Sequence, residues 1–532
     1  MSLLKSFGRS PSPTDNVKDE KTSLAEAVDV VDVNDAIVNP GELTFEEDTA
    51  GGMGRHLGVF SCTMLIVGQI IGTGIFSTPS SIYTSVGSVG ASLMLWVLGF
   101  ALSFCGLFVW LEFGAMFPRS GGEKVYLEAA WTRPKYLSTV LFAANNVILN
   151  FSSANCIVFA ENVLEAAGGD ARIWPARGIA LGVIGFVVLV HGLTPRLGVH
   201  LMNNTSLTPP QALTVFKIVI LLLIVVAGWV VLGGGTRYAT AAFKVIFSYS
   251  GWSNVNYVMN NVRDPVRTLK IAGPLGLGIT TVLYLLANVS YFAAASKDEI
   301  ANSGVVVAAL FFRNVFTPGA EKALTVFVAL SALGLIIYIR NVMNSAFAAS
   351  RVNQELAKEG IPFPLSNRFW ASNWPTGKSP IPGLLAHLIM TVIVIIAPPA
   401  NVAYPFILDV QGYPLQIIYL MVVLGLFWLR WTKPQIVRPF KVWLPFAFFF
   451  LACAVFLLVA PFLRPPGGIG DTPPLPYYLY CLVGIGVLGA SVVYWALWRI
   501  VFPKMFGYAL RMRKEVLRDG TVVTLFEHVK TA

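Results

Sequence analysis

Charge is scarce in this chain. Only 12% of its 532 residues are Asp, Glu, Lys or Arg, against 55% hydrophobic, too few to cover the surface of a water-soluble protein of this length. Histidine is nearly absent, with five in the whole chain. No His, Asp and Glu gather at one depth, which argues against a membrane-embedded enzyme and against any metal or cofactor site. Cysteine is equally thin. Cys62, Cys105, Cys156, Cys453 and Cys481 all lie inside apolar stretches, so no disulfide is expected and they read as small core residues.

What the chain has instead is long apolar runs. Windows of about 20 apolar residues, enough to cross a hydrocarbon core, recur about twelve times. They lie roughly at 57–85, 89–117, 137–167, 175–192, 211–233, 240–261, 271–295, 321–349, 381–398, 403–430, 443–463 and 476–502. The expected fold is an all-α polytopic membrane protein. A net charge of +10 would suit a nucleic-acid binder, but its distribution argues otherwise. The basic residues fall in alternate loops: Arg119, Lys124, Arg133 and Lys135; Arg263, Arg267 and Lys270; Arg351, Lys358, Arg368 and Lys378; Arg430, Lys433, Arg438 and Lys441. The positive-inside rule makes those loops cytoplasmic, and an even span count puts both termini there. The expected partner is the bilayer, not nucleic acid.

Three segments follow. Residues 1–56 form an acidic cytoplasmic tail, with eleven Asp or Glu against four Lys or Arg up to Gly52, and their low hydrophobicity reads as disorder. This tail is either a solvated leader or a docking surface for regulatory partners such as a ubiquitin-ligase adaptor, with Lys5, Lys18 and Lys21 as modifiable lysines. No cleavable signal peptide is expected ahead of the first span. Residues 57–502 form the membrane domain. Residues 503–532 are a basic, partly amphipathic cytoplasmic tail, expected to lie along the anionic leaflet.

Inside the first span runs Gly68-Gln-Ile-Ile-Gly-Thr-Gly-Ile-Phe-Ser-Thr-Pro79, which a continuous membrane helix should avoid. Non-helical backbone at membrane depth is tolerated only where it lines a cavity or is buried in protein. The sixth span carries a second such stretch, Ser248-Tyr-Ser-Gly-Trp252. Spans 1 and 6 hold matching positions in two five-span halves, and an odd number of spans per half inserts the halves in opposite senses. Matched broken helices in inverted halves are the best sequence pointer to a midplane transport site. A half-helix that resumes after a break presents free N–H groups and the positive end of its dipole. Span 1 resumes at Thr73 to Phe76, suited to a carboxylate. Span 6 stops at Phe247 to Ser250, where free carbonyls suit an ammonium. Together they would clamp the zwitterion of an α-amino acid. The alternative is that these glycines only permit close helix packing.

On Gly72-Thr-Gly-Ile-Phe76, Pro118-Arg-Ser-Gly-Gly-Glu123 with Tyr126-Leu127, Ser250-Gly-Trp252 leading to Asn261-Val-Arg-Asp-Pro265, and Ser350-Arg351 through Glu359-Gly-Ile-Pro362, the chain resembles the amino-acid–polyamine–organocation superfamily. Within it the likeness is to the L-type amino-acid transporter branch, over roughly residues 57–500. Gly87-Ser-Val-Gly-Ala91, Phe104 through Phe113 and Gly121 through Glu128 look most like fungal high-affinity methionine permeases. The resemblance implies a five-plus-five inverted-repeat core with broken helices 1 and 6, plus two peripheral helices, working by alternating access. It implies that Thr73 and Gly74 meet the carboxylate through backbone N–H groups, with Ile75 in the same turn and Gly72 permitting the approach. Ile70, Phe247 and Ser250 would meet the ammonium through carbonyls beside Gly251, and Phe247 would close over the substrate. Relatives often carry Gly where this chain has Ser250.

Polar groups inside spans are functional candidates by default. Trp252, Asn155, Gln411, Glu112 and Arg340 are pocket or gate candidates, with Asp409 beside them. Glu112 and Arg340 read equally as gate residues or as satisfied structural pairs. By position Lys217 matches the lysine that replaces sodium in sodium-independent relatives; its alternative is a side chain snorkelling to the interface. Arg119 through Glu123, with Arg351, are expected to form a cytoplasmic charge network, and His191 to be interfacial. The loop Gly168 through Trp174 lacks the cysteine by which animal relatives bond a heavy chain, so no covalent partner is expected. The expected function is import of neutral L-amino acids, methionine first, across the plasma membrane, driven by protons and not sodium. Exchange of large neutral amino acids, polyamine or γ-aminobutyrate uptake, and a non-transporting nutrient sensor are the rivals. A polyamine site would want acidic residues near the span 6 break, and Phe247 to Asn256 has none.

Overall fold

The computed structural model describes residues 57–72, 74–118, 121–167, 173–194, 239–304, 306–315, 338–364, 366–373, 379–398, 403–463, 474–517 and 522–530. Its first span is two helices, α1 (Val59–Ile70) and α2 (Gly74–Val86), bent by 44°. Helix α1 stops because the Gly72 N–H turns back onto the Ile70 carbonyl at 2.7 Å, ending the i to i−4 ladder. Next come α3 (Val89–Met116), the short loop helix α4 (Glu123–Ala130), and α5 (Leu137–Ile148) with α6 (Ser153–Ala166), which together make the third span. Helix α7 (Ile173–Leu193) is the fourth. In the sixth span, α8 (Ala239–Tyr249) gives way at the break to a 3-10 stretch, Asn254–Asn261. The remaining long helices are α9 (Pro265–Ala294), α10 (Tyr338–Lys358), α11 (Ile381–Ile396), α12 (Ala403–Thr432), α13 (Leu444–Val459) and α14 (Leu479–Ala496).

Among the described residues seven helices are long and apolar enough to cross a bilayer, and the bent pair α1–α2 adds an eighth. Span 5 lies outside the described residues, as does the part of span 8 before Tyr338. The chain is a multi-pass, mostly helical membrane protein.

In lipid, helices associate through close packing rather than hydrophobic contrast, and glycines mark where they meet. A Cβ on Gly276 of α9 would fall 2.9 Å from Ile66 of α1. Gly99 of α3 faces Val245 and Tyr249 of α8 in the same way. Helices α13 and α14 are buried over 33% and 28% of their spans, against 56% for α3 and α12. They and the equally exposed α7 stand at the periphery, with apolar side chains such as Phe448, Phe456 and Val493 turned outward.

The C-terminal segment differs from its sequence reading. It folds into an antiparallel hairpin, β1 (Tyr508–Val516) with β2 (Val522–Lys530), pairing Met512 with Phe526. The hairpin packs on protein. Phe526 meets the rings of Tyr136 and Trp498 at 5.6 and 5.2 Å, Val523 is buried with Ala357 and Ala371, and Glu515 pairs with Arg368 at 2.8 Å. Gly360, at φ +85°, lets Thr524 approach, since a Cβ there would sit 2.8 Å from the Thr524 carbonyl oxygen. The loop after span 8, the start of span 3 and the C-terminal hairpin therefore share one face.

Glu112, fully buried on α3, is held by Arg430 of α12 through Nε at 3.0 Å and a second guanidinium bond, and by the Val442 N–H at 2.7 Å. Arg438 lies 3.6 Å away. This cluster ties α3 to α12 and to the chain entering α13. Glu112→Ala would strand buried guanidinium groups, a loss of about 3–5 kcal/mol, and should lower the thermal midpoint of the purified protein well below wild type. An unchanged midpoint would remove the clamp role.

Candidate functional site

The two breaks lie against each other. A Cβ on Gly74, the first residue of α2, would fall 2.7 Å from the Ser248 Cα at the end of α8. On the other side of the crossing Gly251, at φ +110°, faces Gln69 of α1, whose Cγ would be 2.7 Å from an added Cβ. Both breaks need glycine here, one for approach and one for approach and a left-handed backbone.

Carbonyls from both half-helices converge on one side chain. Tyr284, fully buried on α9, directs its hydroxyl to the Ile70 carbonyl at 2.7 Å and the Ser248 carbonyl at 3.0 Å. One hydroxyl proton serves two acceptors, each at the negative end of a half-helix. The first N–H groups of α2, on Gly74, Ile75 and Phe76, have no intrahelical acceptor, and Gly74 packs against Ser248. Free carbonyls and free N–H groups thus occur at the same crossing, and an α-amino acid zwitterion needs one of each.

Hydroxyls stitch the outer halves together. Thr78 Oγ1 donates to the Gly74 carbonyl at 2.8 Å and lies 2.8 Å from Ser248 Oγ, which in turn donates to the Lys244 carbonyl at 2.9 Å. Ser77 joins Tyr404 of α12 at 2.6 Å. Lys244 itself is 1% exposed on α8 and donates to Ser85 Oγ at 2.8 Å and the Ser81 carbonyl at 3.4 Å, both on α2. The sequence reading passed over Tyr284 and Lys244, and took Thr78 and Ser248 only as members of the two interrupted stretches. Only Lys244 carried a signal, as a lysine inside an apolar span.

The structure distributes the expected site residues unevenly. Ile70, Gly72, Gly74, Ile75 and Gly251 all lie at the crossing. Phe247 is half-buried there, and its carbonyl accepts the Ser250 N–H at 3.0 Å. Ser250 is exposed, and the carbonyl that joins Ile70 on Tyr284 is that of Ser248. Trp252 is buried edge-on to Trp110 at 5.2 Å. Gln411 donates to the Phe151 carbonyl at 2.9 Å, tying α12 to the chain between α5 and α6, and Asn155 is half-buried on α6. Thr73, Lys217, Arg119 and the side chain of Arg340 lie outside the described residues. His191, in the last turn of α7, is buried in protein.

The expected cytoplasmic charge network takes another form. Lys124 bonds Glu359 directly and lies 3.4 Å from Glu128. Burial works against the Lys124 charge, but Glu128 and Glu359 outweigh it and hold the ammonium above its ordinary value. Arg351 bonds Gln354 at 3.1 Å. Glu123 is turned away from these groups and buried against Trp110 and Tyr257.

Residues 57–488 match the amino acid permease family. The chain is 36% identical over 492 residues to the high-affinity methionine permease of Saccharomyces cerevisiae, covering 88% of this chain and 83% of that one. With the low-affinity methionine permease of the same yeast it shares 31% over 502 residues, covering 88% and 87%. The b(0,+)-type amino acid transporter 1 of Mus musculus is 29% identical over 486 residues, covering 87% and 91%.

Proposed function

The chain belongs to the amino acid permease family, and from that premise we propose that it imports neutral L-amino acids, methionine foremost, across the plasma membrane. Transport proceeds by alternating access, coupled to protons and independent of sodium, with both termini cytoplasmic. The observation that carries this reading is the crossing of the two breaks, where the Ile70 and Ser248 carbonyls share the Tyr284 hydroxyl and Gly74 of α2 packs on Ser248. The substrate ammonium takes over those carbonyls, and the carboxylate takes the N–H groups of Thr73, Gly74 and Ile75. Phe247 closes over the occupied site. The likeness to two yeast methionine permeases supports methionine as the side chain accepted. The absence of acidic residues from Phe247 to Asn256 disfavours polyamines, which need a second cation site.

Lys217 serves in place of a sodium ion, anchoring the inner half of span 1. No covalent heavy chain is required, and Lys5, Lys18 and Lys21 are available to a ubiquitin-ligase adaptor. Radiolabelled uptake into proteoliposomes tests the reading. Methionine uptake should be saturable, competed by large neutral L-amino acids but not by putrescine, raised by acid outside, and unchanged when choline replaces sodium. Strong sodium dependence would exclude the role of Lys217. Uptake that needs internal amino acid and ignores the pH gradient would favour exchange.

A further inference from the structure

We propose that Glu123 is the binding site of the coupled proton, loaded from the span 6 break through Ser253 and emptied to the cytoplasm when the inner half of span 6 moves away. This rests on the proton-coupled reading above. Glu123 opens helix α4 yet is only 2% exposed. Two left-handed glycines turn it inward, Gly121 at φ +127° and Gly122 at φ +55°. A Cβ on Gly122 would fall 2.8 Å from the Tyr257 ring, so the loop and the inner half of span 6 are fitted to each other at this point.

The carboxylate accepts from Trp110 Nε1 at 2.9 Å on one oxygen and from the Tyr257 hydroxyl on the other. The Ser253 side chain lies near enough to favour its charged form. Tyr257 and Ser253 both belong to the inner half of span 6, and Ser253 is two residues past Gly251 at the break. Glu123 thus sits against the half of span 6 that begins just past the break. The ionisable groups around it are Tyr257, Tyr126 and, on α12, Tyr419. Lys124 and Glu128, on its own helix, are engaged with Glu359, and Glu112 with Arg430 and Arg438. Among the described residues the groups that bond Glu123 are all neutral.

Burial raises the Glu123 carboxyl above the usual carboxylate range, although the bonds from Tyr257, its own N–H, Trp110 and Ser253 pull the other way. A protonated carboxyl has an O–H to place and accepts more weakly on the oxygen that carries it. Occupancy by the proton therefore changes the bonds that hold Tyr257. Water reaching the site from the cytoplasm stabilises the carboxylate and releases the proton. One proton binds from outside and one leaves inside per cycle, with no other bond made or broken.

The full-length protein in proteoliposomes tests this through two readouts: methionine accumulation under an acid-outside gradient, and counterflow exchange with no gradient. Glu123→Gln, which keeps the shape without the titration, should cut gradient-driven accumulation at least tenfold while retaining measurable counterflow. Glu123→Asp should keep the gradient response with a shifted pH midpoint. Gradient-driven accumulation by Glu123→Gln, loss of counterflow together with accumulation, or a Glu123→Asp response identical to that of Glu123→Gln would each overturn the assignment. A wild type that ignores the gradient would instead overturn proton coupling itself, so the two failures are distinguishable.

Discussion

Methionine uptake by Gly74→Val is expected to fall below detection while the protein still reaches the membrane. An added Cβ at this position would stand 2.7 Å from the Ser248 Cα and 2.8 Å from its Cβ, and the neighbour is backbone, which cannot rotate aside. Overpacking costs about 1–3 kcal/mol where side chains can yield, and here the two half-helices must separate. That separation would pull the Ser248 carbonyl from Tyr284 and misplace the N–H groups of α2. Gly90→Ala is the control, because nothing lies within 4 Å of its added Cβ, and its uptake should match wild type. Normal uptake by Gly74→Val would mean that the two breaks are not the site.

Tyr284→Phe should also be severe, for a different reason. Its hydroxyl serves two buried carbonyls, and a buried acceptor left without a donor costs about 1–3 kcal/mol. Uptake should drop roughly tenfold or more, since 1.4 kcal/mol is a factor of ten. Tyr291→Phe lies on the same helix and is equally buried, but its hydroxyl has no partner among the described residues, so it should be nearly silent. Equal uptake by the two variants would reduce Tyr284 to packing.

The apolar spans and the two breaks were legible because a bilayer penalises unpaired backbone so heavily that Gly72, Gly74 and Gly251 stand out. What the breaks touch was not. Tyr284 sits 214 residues from Ile70, and a tyrosine in an apolar run looks like any other until the fold closes. Glu123 was grouped with Arg119 and Arg351 because it sits in a basic loop motif, whereas the left-handed glycines before it turn the carboxyl inward. The C-terminal hairpin had a signal that composition hid. Leu510 and Met512 alternate with Arg511 and Arg513, and Asp519-Gly520 between two such runs is a hairpin turn signature. Counting positive charge there says nothing about a period of two.

Binding of radiolabelled L-methionine to the purified protein, competed by its decarboxylated amine and by its deaminated acid, tests most directly whether the crossing reads a zwitterion. With both ends of the substrate gripped by backbone of opposite polarity, as proposed, unlabelled methionine should compete fully while each analogue, lacking one charge, should compete at least about tenfold more weakly, as loss of a charge-assisted hydrogen bond predicts. Competition by either analogue as strong as that of methionine would contradict the clamp.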